Sequence, residues 1–311
     1  MINRRHIRIK VMQSIYAMLK TGSIDLKQEE NKLLRSIEKI NHLYATLLQL
    51  FLNLKIEEES QIKISKKRHL KTFKESKNEG FVRNDVLDSI SSNSMLLSFV
   101  EKHNLDYWKS ESQKVFALLK EIQAHEIYQK HIENSQISFN DSKLFLTQVF
   151  KEIIAPNEII SEFLEETCIS WTDDLPLVNT LILNNLQRLR KNKKIHFGSI
   201  YVNEDDRDFV GKLFSKTALN LDEYDQYLRH KTPNWNQDRI AQIDLILIKM
   251  AICEFQNFPS IPTRVSINEY LEIAKEYSTK KSSFFINGVL DRIVKEFEKQ
   301  GKLQKIGKGL L

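Results

Sequence analysis

Glycine and proline are almost missing from this chain. Eight glycines and five prolines in 311 residues make about 4%, against roughly 12% in an average protein. A sandwich, barrel or propeller calls for such residues at turn after turn, because tight turns need positive φ or a preset φ. The shortage excludes turn-rich β architectures and points to an all-α fold. The length suffices to bury a large core in one or two domains.

Apolar spacing places the helices. Arg4–Lys20 carries Ile7, Val11, Ile15 and Met18 on one stripe and ends near Gly22. Leu26–Leu54 is a long amphipathic helix, followed by a polar, basic connection over 60–84. Asn93–His103, Asp106–Glu133 and Ser142–Glu166 read as three more helices. Asp173–Pro176 opens another, which runs into the basic stretch Arg188–His196. A tighter series follows: Asp205–Leu219, Asp222–Arg229, Asn236–Asn257, Ile267–Tyr277 and Ser283–Gln300. Asn236–Asn257 is apolar nearly all round in its middle and is expected to be central and buried. Ser266 and Glu269 match a capping box, with Val265 and Tyr270 placed as a hydrophobic staple. Asn287-Gly288 is a hairpin dipeptide, but its flanks keep a period near 3.6, so Gly288 is expected to permit close helix approach instead.

The net charge of +6 is concentrated at the two ends of the chain. Residues 1–20 hold Arg4, Arg5, Arg8, Lys10 and Lys20 and no acid. Lys299, Lys302, Lys305 and Lys308 lie among glycines and read as a flexible basic tail. Cations at a helix N-terminus oppose the macrodipole, at roughly 0.3–1 kcal/mol each. Arg8 also extends the apolar stripe of Met12 and Ile15, and no acid precedes Asp25 to offset either problem locally. Two readings remain for this cluster: a solvated basic terminus, or an anion site in which arginine forks and helix N–H groups hold phosphate. Lys63–Lys74 and Arg188–His196 read first as solvated basic faces, with nucleic-acid contact as the alternative.

Catalytic signatures are missing. Asp173-Asp174 and Asp205-Asp206 stand at helix starts, where carboxylates cap N–H groups and suit the dipole. His42, His125 and His131 show no partner at a metal-binding spacing. Cys168 and Cys253 lie in apolar stretches without a CxxC, which fits a reducing cytoplasm. There is no GxSxG, P-loop or glycine-rich dinucleotide loop. The expectation is therefore no catalytic group, no metal and no cofactor. No uninterrupted apolar run marks a signal peptide or a transmembrane helix, so no membrane partner is expected.

Three blocks in the last third stand out: NWNQDRIAQIDLILIKMAICEF (Asn234–Phe255), IPTRVSINEYLEIAKEYS (Ile261–Ser278) and FINGVLDRI (Phe285–Ile293). With RRHIRIKVMQSIYAM (Arg4–Met18), in which Gln13 and Tyr16 complete an Ala/Val-x-Gln-x-x-Tyr pattern, they resemble the NusB family of bacterial transcription antitermination factors. The resemblance covers roughly 4–20 and 205–295. It implies NusB-like helical bundles with additional inserted helices. Residues 1–22 would be the first helix of that domain, 23–200 an inserted helical region, 201–298 the C-terminal helical part and 299–311 the tail.

The resemblance also implies a non-enzymatic RNA-binding role. Family members pair with the ribosomal protein NusE and bind boxA-type single-stranded RNA within an RNA polymerase antitermination complex, above all on ribosomal RNA operons. Matched by position, the RNA-binding arginine motif falls on Arg4, Arg5 and Arg8, with His6 where arginine is common and Lys10 adjoining. The RNA surface continues to Lys280, Lys281 and Phe285, and the NusE-facing surface to Tyr16 and Asp244. Two alternatives are a NusB-like domain of a ribosomal RNA methyltransferase and a protein-only helical scaffold. The first requires a glycine-rich cofactor loop that this sequence lacks.

Overall fold

The computed structural model describes residues 1–67, 79–134, 136–229 and 241–310. Part of the basic stretch Lys63–Lys74 (68–74), and 234–240 of the family-like block and its expected helix, lie outside the described residues. Fourteen α-helices occur among the described residues: α1 Arg4–Thr21, α2 Leu26–Lys67, α3 Asp85–Ser91, α4 Ser94–His103, α5 Ser112–Ala124, α6 Glu126–Glu133, α7 Phe139–Val149, α8 Glu158–Thr167, α9 Trp171–Arg188, α10 Glu204–Leu219, α11 Leu221–Arg229, α12 Gln242–Asn257, α13 Thr263–Tyr277 and α14 Ser282–Lys299. The fold is all-α; the one β-type contact described is an isolated parallel bridge between Ile2 and Tyr201. No described helix is long and apolar enough to cross a membrane.

Several boundaries depart from expectation for local reasons. α2 runs through 60–67, where a connection was expected, because its Gln and Lys residues form helix well and Gln61 bonds back to Glu57 one turn earlier. The stretch 106–133 breaks at His125, which is extended (ψ 146°) and caps α6 by accepting the N–H of Ile127. Ser142–Glu166 breaks around Pro156, which has no N–H to continue a helix. A π-helical turn, Phe150–Ile154, precedes it, and Asn157 caps α8. α13 begins at Thr263, so Ser266 lies inside the helix and the expected capping box does not form. Gly288 is exposed, and a Cβ built there meets nothing within 4 Å, so it serves no close helix approach.

The chain divides into two compact units, Met1–Ile37 with Tyr201–Leu311, and Glu38–Ile200; the division falls inside α2. In the first unit α1, α10, α13 and α14 pack around α12. α12 is the central helix that its apolar run demands, burying Ile246, Leu247, Ile248, Met250, Ile252 and Phe255. The C-terminal stretch is docked on this unit instead of forming a flexible tail. Lys305 Nζ donates to the carbonyls of Glu254 (3.4 Å) and Phe258 (3.1 Å), at the end of α12, where a cation suits the dipole. The Ile306 N–H bonds Pro259 O, and a Cβ on Gly309 would collide with that same carbonyl.

In the second unit α3 to α9 assemble with the later part of α2. Trp108 and Trp171 donate their indole N–H groups to the carbonyls of Thr46 and Lys39 on α2. The segment after α9 is pinned through the Tyr44 hydroxyl to His196 O and through Asn93 to Ile195 O. Arg188, which ends α9, and the cations of this segment, Arg190, Lys191, Lys193 and Lys194, face solvent. His42 does have neighbours of metal-binding type: Glu38 one turn before it on α2, and His103 from the end of α4.

Candidate nucleic-acid interface

α1 starts with Asn3 as its cap, accepting the His6 N–H at 3.1 Å, and has no acid in its first turn. The acids come from three other helices of the same unit. Arg4 Nε donates to Asp206 Oδ1 at 2.8 Å, from the first turn of α10. Arg5 forks onto Glu269 of α13, with Nε at 3.0 Å and Nη2 at 2.9 Å from its two oxygens. Arg8 forks in the same way onto Glu254 of α12, at 2.9 and 2.7 Å. Both carboxylate oxygens of Glu254 are fully used, since Ser266 Oγ (2.5 Å) and Tyr270 OH (3.0 Å) also donate to them. The guanidiniums of Arg4 and Arg8 lie 5.1 and 5.2 Å from the ring centroid of Phe209.

Burial separates these arginines into two kinds. Arg8 and Glu254 are 2% and 0% exposed, so Arg8 is an internal cation and is not on the surface expected for RNA. Burial works against the Arg8 charge, but the Glu254 carboxylate and its hydrogen bonds outweigh it and hold the guanidinium more firmly protonated. Arg4 and Arg5 keep over a third of their side chains in solvent, at 36% and 39%. The hydrogen bonds between Arg5 and Glu269 raise the arginine pKa and lower that of the carboxyl. Lys10 is buried as well, at 4% exposure. His6 is half-buried, and burial followed by the Arg5 charge lowers its pKa, so the ring is neutral near pH 7.

The remaining expected site residues lie farther along. Lys280 and Lys281 are exposed between α13 and α14, beyond the end of a helix that runs about 12 Å past Glu269. Phe285 is half-buried, whereas its neighbour Phe284 is 81% exposed and is the aromatic presented to solvent. Tyr16 is exposed beside Leu19, with Lys20 Nζ 5.4 Å from its ring centroid. Asp244, expected on a partner surface, is 4% exposed and accepts the Ser278 hydroxyl at 2.6 Å. Ser278 Oγ in turn lies 3.0 Å from Ser282 Oγ, so Asp244 fastens the loop that carries the two lysines.

The first unit thus carries, at the N-terminus of α1, two part-exposed arginines each already paired with a carboxylate, and farther along two exposed lysines and an open aromatic. Comparison with known proteins places the chain. A sequence model of the NusB family matches residues 184–295. The Transcription antitermination protein NusB of Natranaerobius thermophilus is 40% identical over 98 residues, 32% of this chain and 70% of that protein. The chain belongs to the NusB family. The proteins of the same name from Salinibacter ruber and Chloroherpeton thalassium are 43% and 41% identical over 105 residues, 34% of this chain. Those matches span 66% and 50% of the two relatives' lengths. No solved structure matches the chain. α1 lies outside the NusB match, yet Asp206, Glu254 and Glu269, which grip it, all lie inside.

Sequence reasoning missed Asp206 and Glu269 as arginine partners because each also suits a helix start. Glu254 had a signal: a carboxylate in the most apolar run of the chain requires a buried cation.

Proposed function

We propose that this chain is a NusB-type transcription antitermination factor, a binding protein that pairs with NusE and holds boxA-type single-stranded RNA during transcription of ribosomal RNA operons. The similarity to proteins named for transcription antitermination carries this reading. The surface of the first unit supports it. Arg4 and Arg5 keep over a third of their side chains open to phosphates, Lys280 and Lys281 add charge, and Phe284 offers a face on which a splayed base stacks. Arg8 and Asp244 act from beneath, holding α1 and the lysine loop in place, and Lys10 is buried on the same helix as Arg8. Tyr16 and Leu19 form the open part of α1 assigned to NusE.

RNA phosphates must compete with Asp206 and Glu269 for Arg4 and Arg5. Affinity of the isolated protein is therefore modest, and the partner completes the site. An electrophoretic shift assay with boxA RNA and a scrambled control, with and without NusE, tests this. The pair is expected to prefer boxA; equal binding of both RNAs overturns the reading. Four phosphate contacts through Arg4, Arg5, Lys280 and Lys281 give a log–log salt slope of about −3, and Arg4→Ala/Arg5→Ala makes it shallower by about 1.4. An unchanged slope removes the RNA from α1 even if boxA preference stands. Tyr16→Ala is expected to weaken NusE pairing while leaving the urea midpoint nearly unchanged.

A further inference from the structure

We propose that Glu38, His42 and His103 bind one divalent transition-metal ion, with Zn²⁺ the best fit, and that the ion ties the end of α4 to α2. Glu38 and His42 are four residues apart on α2 and so share a face, and His103 is the last residue of α4. One carboxylate oxygen and one nitrogen from each ring lie within 4.8 Å of one another. His103 Nε2 is 3.8 Å from Glu38 Oε1, and the two imidazole centroids are 4.6 Å apart. Phe99 packs against both rings, at 5.4 and 4.4 Å between centroids, walling one side of the cluster with hydrocarbon. Zinc bonds of ~2.0–2.1 Å require the three donors to draw closer, a movement within reach of the half-exposed Glu38 carboxylate.

Three observations point to a ligand here and not to a resting cluster. His42 Nε2 is buried and has no hydrogen-bond partner, a state native side chains seldom keep. Two imidazoles and a carboxylate form the mixed nitrogen–oxygen set that suits zinc, whereas Mg²⁺ and Ca²⁺ take oxygen donors. His103 ends α4, where the partial negative charge of the helix C-terminus favours a cation. Three protein ligands leave a fourth position for water. The cluster lies outside the NusB match, so it belongs to this chain's added unit.

Zinc titration of the full chain against a chromophoric chelator, with Co²⁺ absorption as a second readout, tests the site. The wild type is expected to take up one equivalent and to give visible bands of a four- or five-coordinate Co²⁺. Glu38→Ala and His103→Ala are each expected to bind tenfold or more weakly and to lose those bands. Zinc should raise the melting midpoint of the wild type and not of either variant. His42→Ala should behave alike; if it fails to fold, the other two positions still decide. Wild-type affinity no tighter than that of the variants, or one full equivalent retained by His103→Ala, overturns the proposal.

Discussion

Arg8 and Glu254 show at the scale of single residues how a buried charge is held. Each carries a unit charge into a site with almost no solvent; Glu254 accepts from Arg8, Ser266 and Tyr270, and Arg8 Nη1 adds a longer ion pair, 3.7 Å, to Glu269. Removing one member strands the other, which costs about 3–5 kcal/mol, whereas replacing both can be nearly neutral. Arg8→Met is accordingly expected to destabilise by about that amount. Arg8→Met/Glu254→Gln should recover more than half of it, because Gln keeps an acceptor for Ser266 and Tyr270. Urea unfolding of the three proteins checks both outcomes; an additive loss in the double variant would mean that the two residues act independently. Each half of this pair was legible in the sequence. Arg8 sits on the apolar stripe of α1, and Glu254 interrupts the apolar run of α12. Their pairing was not legible, because 246 residues separate them and no local spacing connects them. The same holds for Asp244, whose burial depends on a serine 34 residues away.

Among the elements, the end of α2 illustrates how one side chain fixes a neighbouring segment. Glu58 is 1% exposed and accepts the Tyr128 hydroxyl of α6 at 2.6 Å and the N–H groups of Phe81 and Val82 at 2.8 and 2.9 Å. Burial nonetheless raises its pKa above the ordinary value of 4.5, so the folded protein holds this proton more tightly than the unfolded chain does. The wild type should therefore gain stability relative to Glu58→Gln as pH falls through the raised value, and the difference should level off below about 4.5. Chemical denaturation of both proteins between pH 7 and pH 4 measures it, and the opposite slope would show that the three hydrogen bonds dominate. Helix identity was legible nearly throughout, since apolar periodicity survives in every element named from the sequence. The breaks at His125 and around Pro156 were not read, although the second had a signal in Pro156 and both caps are local, His125 accepting the Ile127 N–H and Asn157 that of Ile160; the apolar periodicity carried on across both points. The C-terminal lysines were read as a flexible basic tail, yet Lys305 closes the end of α12.

On the scale of the whole molecule, the first unit is built from two distant stretches, Met1–Ile37 and Tyr201–Leu311. A relative of which 105 matched residues make up 66% is only slightly longer than those two stretches together. A chain in which a soluble linker replaces 38–200 is thus expected to fold as a helical protein and, on the function proposed above, to keep the boxA binding assigned to Arg4 and Arg5. Circular dichroism and the same shift assay decide this, and loss of binding by a folded product would assign part of the RNA surface to 38–200. The three contacts that seat α1 span 202, 246 and 264 residues of sequence. A ribosome adding ~5–20 residues per second needs roughly 12–50 s to make that much chain. Throughout that interval the first helix trails from the ribosome with its arginines unneutralised. The seat of α1 is therefore among the last parts of the fold to close, because each of its three carboxylates arrives more than 200 residues after the arginine it pairs.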